Sequence, residues 1–188
     1  MEPFRRLEAV ALPLACANVD TDQIVPARFL KKPRAVGFGQ FLFHDLRADA
    51  AFALDQAAYR GARIVVAGRN FACGSSREHA VWALQDYGFR AAIAPSFGDI
   101  FHSNALKNGF LPVVLPEAAV AAMQEALLAA PAMTIAIDLE QQCVVAAGKI
   151  CRFEIAPFPK HCLLQGLDEL GYTLSQVAHI EAFEERFG

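Results

Sequence analysis

Hydrophobic and polar positions follow two different rhythms in the middle of this chain. The run ARIVVA at Ala62–Ala67 is continuously apolar and rich in β-branched residues, as in a strand buried on both faces. Over Ser76–Tyr87 the apolar positions recur at helical spacing, and Gly88 provides a stop signal. Arg90–Ala94 is a second run of strand length. This order predicts a βαβ unit whose connecting turn lies at the carboxyl edge of a parallel sheet, where ligands usually bind.

Further elements follow the same logic. Phe97–Lys107 is predicted to be a helix, with Ser96 as a possible cap, and a strand and a third helix follow over Leu111–Leu115 and Glu117–Ala129. Three short alternating segments then predict antiparallel hairpins: Thr134–Leu139, Cys143–Ala147 and Ile150–Ile155. Two helical segments end the pattern, Phe158–Leu170 and Leu174–Phe187. The fold class is therefore mixed α/β, and the length of 188 residues fits a single domain over 1–188.

The composition and net charge of the chain limit the classes of partner that it is expected to bind. A net charge of -3 without basic runs gives no electrostatic footprint for nucleic acid or an anionic membrane, so small-molecule or protein partners are expected. The 55% hydrophobic content does not predict a membrane span, because the richest window, Leu115–Ile137, is interrupted by polar residues and prolines. The first twenty residues carry scattered charges and Pro13, which make a poor signal peptide, so a cytoplasmic location is expected.

The cysteines limit the chemistry of the chain. There are five, an odd number without a C-x-x-C pair: Cys16, Cys73, Cys143, Cys151 and Cys162. Neither a disulfide framework nor a self-contained zinc or iron-sulfur site is indicated. Reduced and mostly buried thiols are expected, and no metal site is predicted.

The turn GRNFACGSSREHAVW, Gly68–Trp82, concentrates polar groups directly after the first buried strand. Ser75 and Glu78 fit the S-x-x-E capping box at a helix start. The same helix N-terminus presents free N-H groups, and an added Arg77 would make a pocket for a carboxylate or phosphate. The two interpretations are compatible, and both remain open on the local pattern.

Two segments that precede this turn in the sequence are also candidates for a functional role. Asp20, Thr21 and Asp22 form a polar turn, and such residues often bond to their own backbone. Two close carboxylates could instead bind a divalent metal, although the spacing lacks the further ligands that such a site needs. The segment Leu30–His44 mixes glycine, proline, basic and aromatic residues, and it suits an exposed loop that moves over a ligand.

Together these stretches resemble the small subunits of 3-isopropylmalate dehydratase, in the aconitase superfamily. The likeness runs over nearly the whole chain, and the GSSREHA core shows no departure. The stretches that carry it are NVDTDQIVPARFL (Asn18–Leu30), GFGQFLFHD (Gly37–Asp45), NFACGSSREHAVWALQDYGF (Asn70–Phe89), APSFGDIF (Ala94–Phe101) and KHCLLQGLD (Lys160–Asp168). The resemblance implies the swivelling β/β/α domain of aconitase, here as a separate chain.

The resemblance also implies a reaction. A small dicarboxylate, 2-isopropylmalate, would lose water to give isopropylmaleate and regain it as 3-isopropylmalate, in leucine biosynthesis. In the family a four-iron iron-sulfur cluster with an open iron acts as Lewis acid and is held by the large subunit. The scattered cysteines of this chain agree with that arrangement, so the large subunit is the expected partner and no cofactor is expected on this chain.

Carried over by motif position, the resemblance implies roles for individual residues. Ser75 would be the catalytic base and Arg77 would pair with a substrate carboxylate. Asp22 would support the charge network, while Asp20 would shape the turn. Glu78 and His79 are assigned mainly to structure. The residues expected in or beside substrate binding are Ser76, Thr21, Arg28, Leu30 and Lys31, with Leu30 the candidate for contact with the isopropyl group.

Other interpretations remain. A stand-alone serine hydrolase is disfavoured, because neither serine satisfies G-x-S-x-G. A noncatalytic carboxylate-binding regulatory module would use the same helix terminus. Within the dehydratases, the small subunit of a homoaconitase or a citramalate-type enzyme is the main alternative, since substrate choice depends on the loop after Phe29.

Overall fold

The chain folds around one seven-stranded sheet in a computed structural model that describes residues 1–75 and 77–187. The strand order is β4-β3-β2-β1-β5-β6-β7. The strands are β1 Arg6–Leu14, β2 Ile64–Ala67, β3 Ala91–Ala94, β4 Leu111–Val114, β5 Thr134–Asp138, β6 Cys143–Ala146 and β7 Lys149–Arg152. Strands β1 to β4 are parallel, and β5 to β7 continue the sheet in antiparallel order from β1. The predicted α/β class, with parallel βαβ units and a later antiparallel hairpin region, is confirmed.

Strand β1 joins the two halves of the sheet. Its first half, Arg6–Val10, pairs with β5, and its second half, Ala11–Leu14, pairs with β2. The sequence pattern did not predict this strand, because the alternation of Arg6–Ala9 passes into a continuous apolar run that contains Pro13, a residue rare in central strands. Pro13 lies in the half that pairs on one side only, where a missing N-H costs least.

The sheet separates two hydrophobic cores, as the alternation of side chains along a strand requires. On β2, Val65 and Ala67 contact one core, and Ile64 and Val66 contact the other. All four side chains are buried, which explains the continuous apolar run in the sequence. The core on the side of Val65 also contains the first two long helices, and this places it beneath the polar turn.

The helices differ from the predictions mainly at their ends. The helices are α1 Thr21–Ile24, α2 Glu78–Tyr87, α3 Asp99–Lys107, α4 Glu117–Ala129, α5 Pro157–Gln165, α6 Glu169–Ser175 and α7 Val177–Phe187. The predicted helix Phe158–Leu170 is wrong as one piece, because Gly166 takes a left-handed conformation that ends α5. The predicted start of α3 at Phe97 is also wrong. Its cap position is Gly98, and Ser96 does not cap it.

The segment predicted to be an exposed loop is partly buried. Phe38, Leu42 and Phe43 are in the core, within a series of short 3-10 turns between Ala27 and Tyr59. Asp86 on α2 holds this segment, because its carboxylate accepts from Arg34 at 2.6 and 2.7 Å and from Phe38 N at 2.6 Å. The expectation of an exposed loop is therefore wrong for Phe38, Gly39, Leu42 and Phe43, whereas Gln40 between them is exposed.

Two further expectations concern the burial of the thiols and the absence of a membrane span. All five cysteines are free, but only Cys162 is buried, so the expectation of mostly buried thiols is wrong. Within residues 1–75 and 77–187, the helices lack the combination of length and apolar character that spanning a membrane requires.

We predict that Gly98→Ala destabilises the fold, although Gly98 has a φ of -61°, which any residue can adopt. A Cβ there would lie 2.5 Å from the carbonyl oxygen of Ala72, so the turn after β3 would separate from the turn after β2. The expected loss in the free energy of unfolding is about 1–3 kcal/mol, measured by urea denaturation. Gly171→Ala is the control, since its Cβ would meet only side-chain atoms of Asp168 and Leu167. Equal stability of the two variants would contradict the prediction.

Candidate active site

Three turns meet at the carboxyl edge of the parallel strands. They follow β1, β2 and β3, and they contact one another through backbone hydrogen bonds. Ala72 N donates to Val19 O at 2.7 Å, which joins the second turn to the first. Phe71 N donates to Ser96 O at 3.0 Å, which joins the second turn to the third. The expected position of the serine turn at this edge is confirmed, and the turn is held from both sides.

The backbone of the serine turn takes an unusual path. Asn70, Ala72 and Gly74 all have positive φ, at 56°, 58° and 92°. Asn and Gly tolerate this region better than other residues, whereas Ala72 is strained there. Such a path reverses the chain within a few residues, and it leaves the Ser75 side chain exposed at the edge.

Helix α1 forms the platform next to this turn. Asp20 caps α1 in a true capping box, since its side chain accepts from Gln23 N at 2.8 Å while the Gln23 side chain accepts from Asp20 N at 2.9 Å. The predicted role of Asp20 in shaping the turn agrees with this contact. The next residue, Thr21, is buried and bonds to the serine turn through its main chain and its hydroxyl.

Arg77 and Asp22 form the ion pair of the site. Arg77 Nη2 donates to Asp22 Oδ2 at 2.8 Å, and Asp22 Oδ1 accepts from Ala27 N at 3.0 Å. The arginine side chain is only 15% exposed, compared with 53% for Asp22. Arg77 Nη1 lies 2.5 Å from Asp22 Oδ1 without hydrogen-bond alignment, and within the described ranges this buried atom has no hydrogen-bond partner. The guanidinium is therefore a mostly buried cation that is paired with Asp22, and it belongs to the residue two positions after Ser75.

The predicted capping box at α2 is wrong. The helix begins at Glu78, its cap position is Arg77, and this cap lacks a side-chain hydrogen bond. The Glu78 carboxylate instead accepts from Asn108 Nδ2 at 2.9 Å, which ties the start of α2 to the end of α3. Ser76, predicted at the helix start and in the substrate site, lies outside the described residues.

His79 is placed in an aromatic cluster, which is consistent with the structural role predicted for it. Its ring packs 5.0 Å from that of Phe38 and 4.7 Å from that of Trp82, measured between centroids. Burial lowers the pKa of this histidine, because a charged ring would lose hydration there. The cluster therefore joins the second residue of α2 to the anchored segment before it.

The residues predicted to recognise the substrate side chain lie on the segment after α1. Arg28 donates to Asp45 at 2.9 Å and packs over the ring of Phe29. Leu30 is half-buried against the core, and Lys31 is exposed. The structure places these three side chains outside the contacts that join Thr21, Asp22, Ser75 and Arg77, and their roles stay predictions.

Sequence reasoning missed the residues that hold the turns together. Asn70 Nδ2 donates to Asn18 Oδ1 at 2.9 Å, and Asn70 N donates to Ser96 Oγ at 2.9 Å. Gly68 approaches the carbonyl of Cys16 so closely that a Cβ would lie 2.5 Å from its oxygen. An asparagine or glycine just after an apolar strand was the available signal, since both types tolerate tight turns.

The donor set for a metal is limited. Within residues 1–75 and 77–187, no three or more His, Cys, Asp or Glu side chains group in a way that could hold a metal ion. The described residues therefore do not fit an iron-sulfur cluster bound by this chain alone, since such clusters need several thiolates together.

Comparisons with known proteins place the chain among dehydratase subunits. Residues 1–118 match the family described as Aconitase C-terminal domain. The chain is 51% identical to the 3-isopropylmalate dehydratase small subunit of Rubrobacter xylanophilus, over 98% of this chain and 94% of that protein. It is 49% identical to the small subunit of the same name from Acidobacterium capsulatum, over 98% and 90% of the two chains.

A solved structure resembles the fold over its whole length. The crystal structure of 3-isopropylmalate dehydratase (leuD) from Methanocaldococcus jannaschii matches with a TM-score of 0.70 and 25% sequence identity. The match covers 95% of this chain and 99% of the other. The aconitase-type β/β/α fold that the resemblance implied is therefore confirmed.

We predict that the pKa of Asp22 depends on Arg77. The hydrogen bond from the guanidinium holds the pKa of this carboxyl below its usual value, and burial opposes that shift. In Arg77→Met the pKa of Asp22 should rise toward the ordinary value of an aspartate, measured by NMR titration of the carboxyl carbon. The pKa of Glu2, lowered by Arg90, should not change and serves as the control.

The sign of the pH effect follows from the direction of that shift. The pKa of Asp22 is lower in the folded than in the unfolded protein. The pair of Asp22 and Arg77 therefore stabilises the fold fully above about pH 3.9, and this stabilisation is lost as the pH falls through the folded pKa of Asp22. The stability difference between wild type and Arg77→Met should therefore shrink below about pH 4. An Asp22 pKa that is the same in both proteins would contradict the assignment.

Proposed function

Because the chain belongs to the 3-isopropylmalate dehydratase small-subunit family of the aconitase superfamily, we propose that its serine turn supplies the proton-transfer and carboxylate-binding groups of the reaction. The enzyme is a hydro-lyase that interconverts 2-isopropylmalate and 3-isopropylmalate through isopropylmaleate, in leucine biosynthesis. The observation that carries the proposal is the mostly buried guanidinium of Arg77, held by Asp22, on the same turn as the exposed Ser75.

The reaction sets three chemical requirements. A base must remove a proton from the carbon next to a carboxylate, a Lewis acid must help the hydroxyl leave, and donors must hold the carboxylates. The first and third can be met by side chains on this turn. The second needs a metal centre, which the described residues of this chain do not fit.

Ser75 is the proposed base. Its Oγ, as alkoxide, takes the proton from carbon, and the C-H electron pair forms the double bond as the hydroxyl leaves from the neighbouring carbon. A serine is normally too weak a base, so its alkoxide needs preorganised donors in a dry site. We propose that the N-terminus of α2, which begins three residues later, supplies these donors through its free N-H groups and partial positive charge.

Arg77 is the proposed carboxylate ligand. Its guanidinium is mostly buried and oriented by Asp22, so little side-chain freedom is lost when a substrate binds. The planar guanidinium fork suits two parallel hydrogen bonds to a carboxylate, and its remaining 15% exposure is the surface that a substrate would reach. In this arrangement Asp22 keeps the arginine in place and balances its charge.

We propose that a four-iron iron-sulfur cluster on the large subunit supplies the Lewis acid, and that this chain is active only with that subunit. The exposure of Ser75 supports this, because the site is an open edge that a partner would have to cover.

A cleft of about 220 Å³ lies elsewhere, between α3 and α5, and none of the site residues lines it. The complex would act in the cytoplasm, with residues 1–188 moving as one swivelling unit over the substrate.

Substrate choice is assigned to the segment after α1. Leu30 is the proposed apolar contact for the isopropyl group, with Arg28 and Lys31 beside it. Homocitrate or citramalate lacks that branched group, so activity on either one would assign the chain to a homoaconitase or a citramalate-type enzyme. A carboxylate-binding regulatory module would bind the same anions without contributing to turnover.

We predict turnover of isopropylmalate only when this chain is mixed, without oxygen, with a cluster-loaded large subunit. The assay follows the absorbance of isopropylmaleate, with each subunit alone as control. In the same mixture Ser75→Ala should lower kcat about 100-fold or more, since proton transfer by a positioned base contributes at least that much. Its thermal unfolding should stay close to wild type, because Ser75 is exposed.

Ser103→Ala is the matched control, because Ser103 is an exposed serine on α3 away from the turn. Wild-type kcat for Ser75→Ala in an assembled complex would contradict the catalytic assignment and favour the regulatory module. Activity on homocitrate or citramalate alone would keep the mechanism and change the substrate.

We predict that Arg77→Lys raises KM roughly tenfold, since the planar fork is lost while the positive charge remains. Steady-state kinetics of the assembled enzyme measures this effect. Arg60→Lys, an exposed arginine before β2, should leave KM unchanged. An unchanged KM in both variants would exclude Arg77 as the carboxylate ligand.

A further inference from the structure

Thr21 is an unusual residue in this fold, because it is polar and only 2% exposed. Tyr59 is the other deeply buried hydroxyl among the described residues, and it donates to Leu127 O at 3.3 Å. A buried hydroxyl is costly unless it is hydrogen-bonded, so its partner is informative. Thr21 Oγ1 donates to the backbone carbonyl of Ser75 at 3.2 Å.

This contact is one of a row that joins α1 to the serine turn. Asp20 and Cys73 form a parallel bridge, and Thr21 N donates to Cys73 O at 2.9 Å. The hydroxyl of Thr21 then reaches Ser75, two residues further along the turn. The backbone bonds hold the turn as far as Cys73, and the hydroxyl extends that support across Gly74 to Ser75.

Gly74 explains why the extension matters. Its φ of 92° lies in a region that glycine adopts easily and reversibly, so the backbone after it has more conformational freedom than its neighbours. The direction of the Ser75 carbonyl is set by the ψ angle of Ser75. A donor fixed in the core therefore restricts the orientation of the residue that carries the proposed base.

We infer that Thr21 is a positioning residue, which orients Ser75 through its carbonyl and does not contact the substrate. The inference rests on the proposed role of Ser75 as base. It replaces the expectation that Thr21 binds substrate, because a side chain buried to this extent has no surface to offer a ligand. Arg77 has a separate anchor in Asp22, so carboxylate binding does not depend on Thr21.

The test is Thr21→Val in the complex with the cluster-loaded large subunit, since valine has the shape of threonine without the hydroxyl. We expect kcat to fall about fivefold to tenfold, the value of one neutral hydrogen bond, and KM to stay within about twofold. Thr21→Ser keeps the hydroxyl and should restore most of kcat. A merely structural role would not give this split between kcat and KM, nor recovery by serine.

Ser75→Ala, measured in parallel, separates this inference from the function that it rests on. If Ser75→Ala is inactive while Thr21→Val has wild-type kcat, the positioning role is excluded and the base remains. If Ser75→Ala keeps full turnover, both are excluded. If Thr21→Val does not fold or assemble, Thr21→Ala replaces it. A lower kcat in Thr21→Ala than in Thr21→Ser supports the positioning role. Equal kcat in these two variants overturns it.

Discussion

The fold depends on how β1 divides its backbone hydrogen bonds between two partners. Its first half pairs with β5 in antiparallel order and its second half pairs with β2 in parallel order, so the two halves of the sheet share one strand. Strand pairing satisfies backbone groups that would be costly to bury unpaired. Because the parallel half ends at Leu14, the chain leaves it at the same edge where β2 and β3 end.

The candidate site is a consequence of that shared edge. The turns after the three strands are close enough to exchange backbone hydrogen bonds, and glycines at Gly68 and Gly98 allow the closest approaches. The middle turn presents Ser75 outward, while Asp22 on the first turn holds Arg77. Hydrogen bonds from both neighbouring turns thus hold the turn that carries the exposed Ser75, which suits the role proposed for this residue.

Much of the fold was readable from the sequence, because its parallel strands are buried on both faces and therefore appear as continuous apolar runs. The central βαβ unit was predicted in this way, and the antiparallel hairpins were predicted from the alternation of apolar and polar residues. Strand β1 was missed, since its pattern changes from alternating to continuously apolar and includes Pro13, and since its pairing is long-range. The anchoring of residues 38–43 was also missed, because it depends on Asp86, which is distant in sequence.

For the site, the sequence by itself determined the chemical groups: the serine turn after a buried strand, its arginine, and the aspartates upstream. Only the tertiary structure decided which of these groups meet. It placed Thr21 in the core beneath Ser75 and paired Asp22 with Arg77, and it moved the helix start to Glu78. The physical reason is that side-chain partners are chosen by packing between turns far apart in sequence, which a local pattern of caps and spacings does not contain.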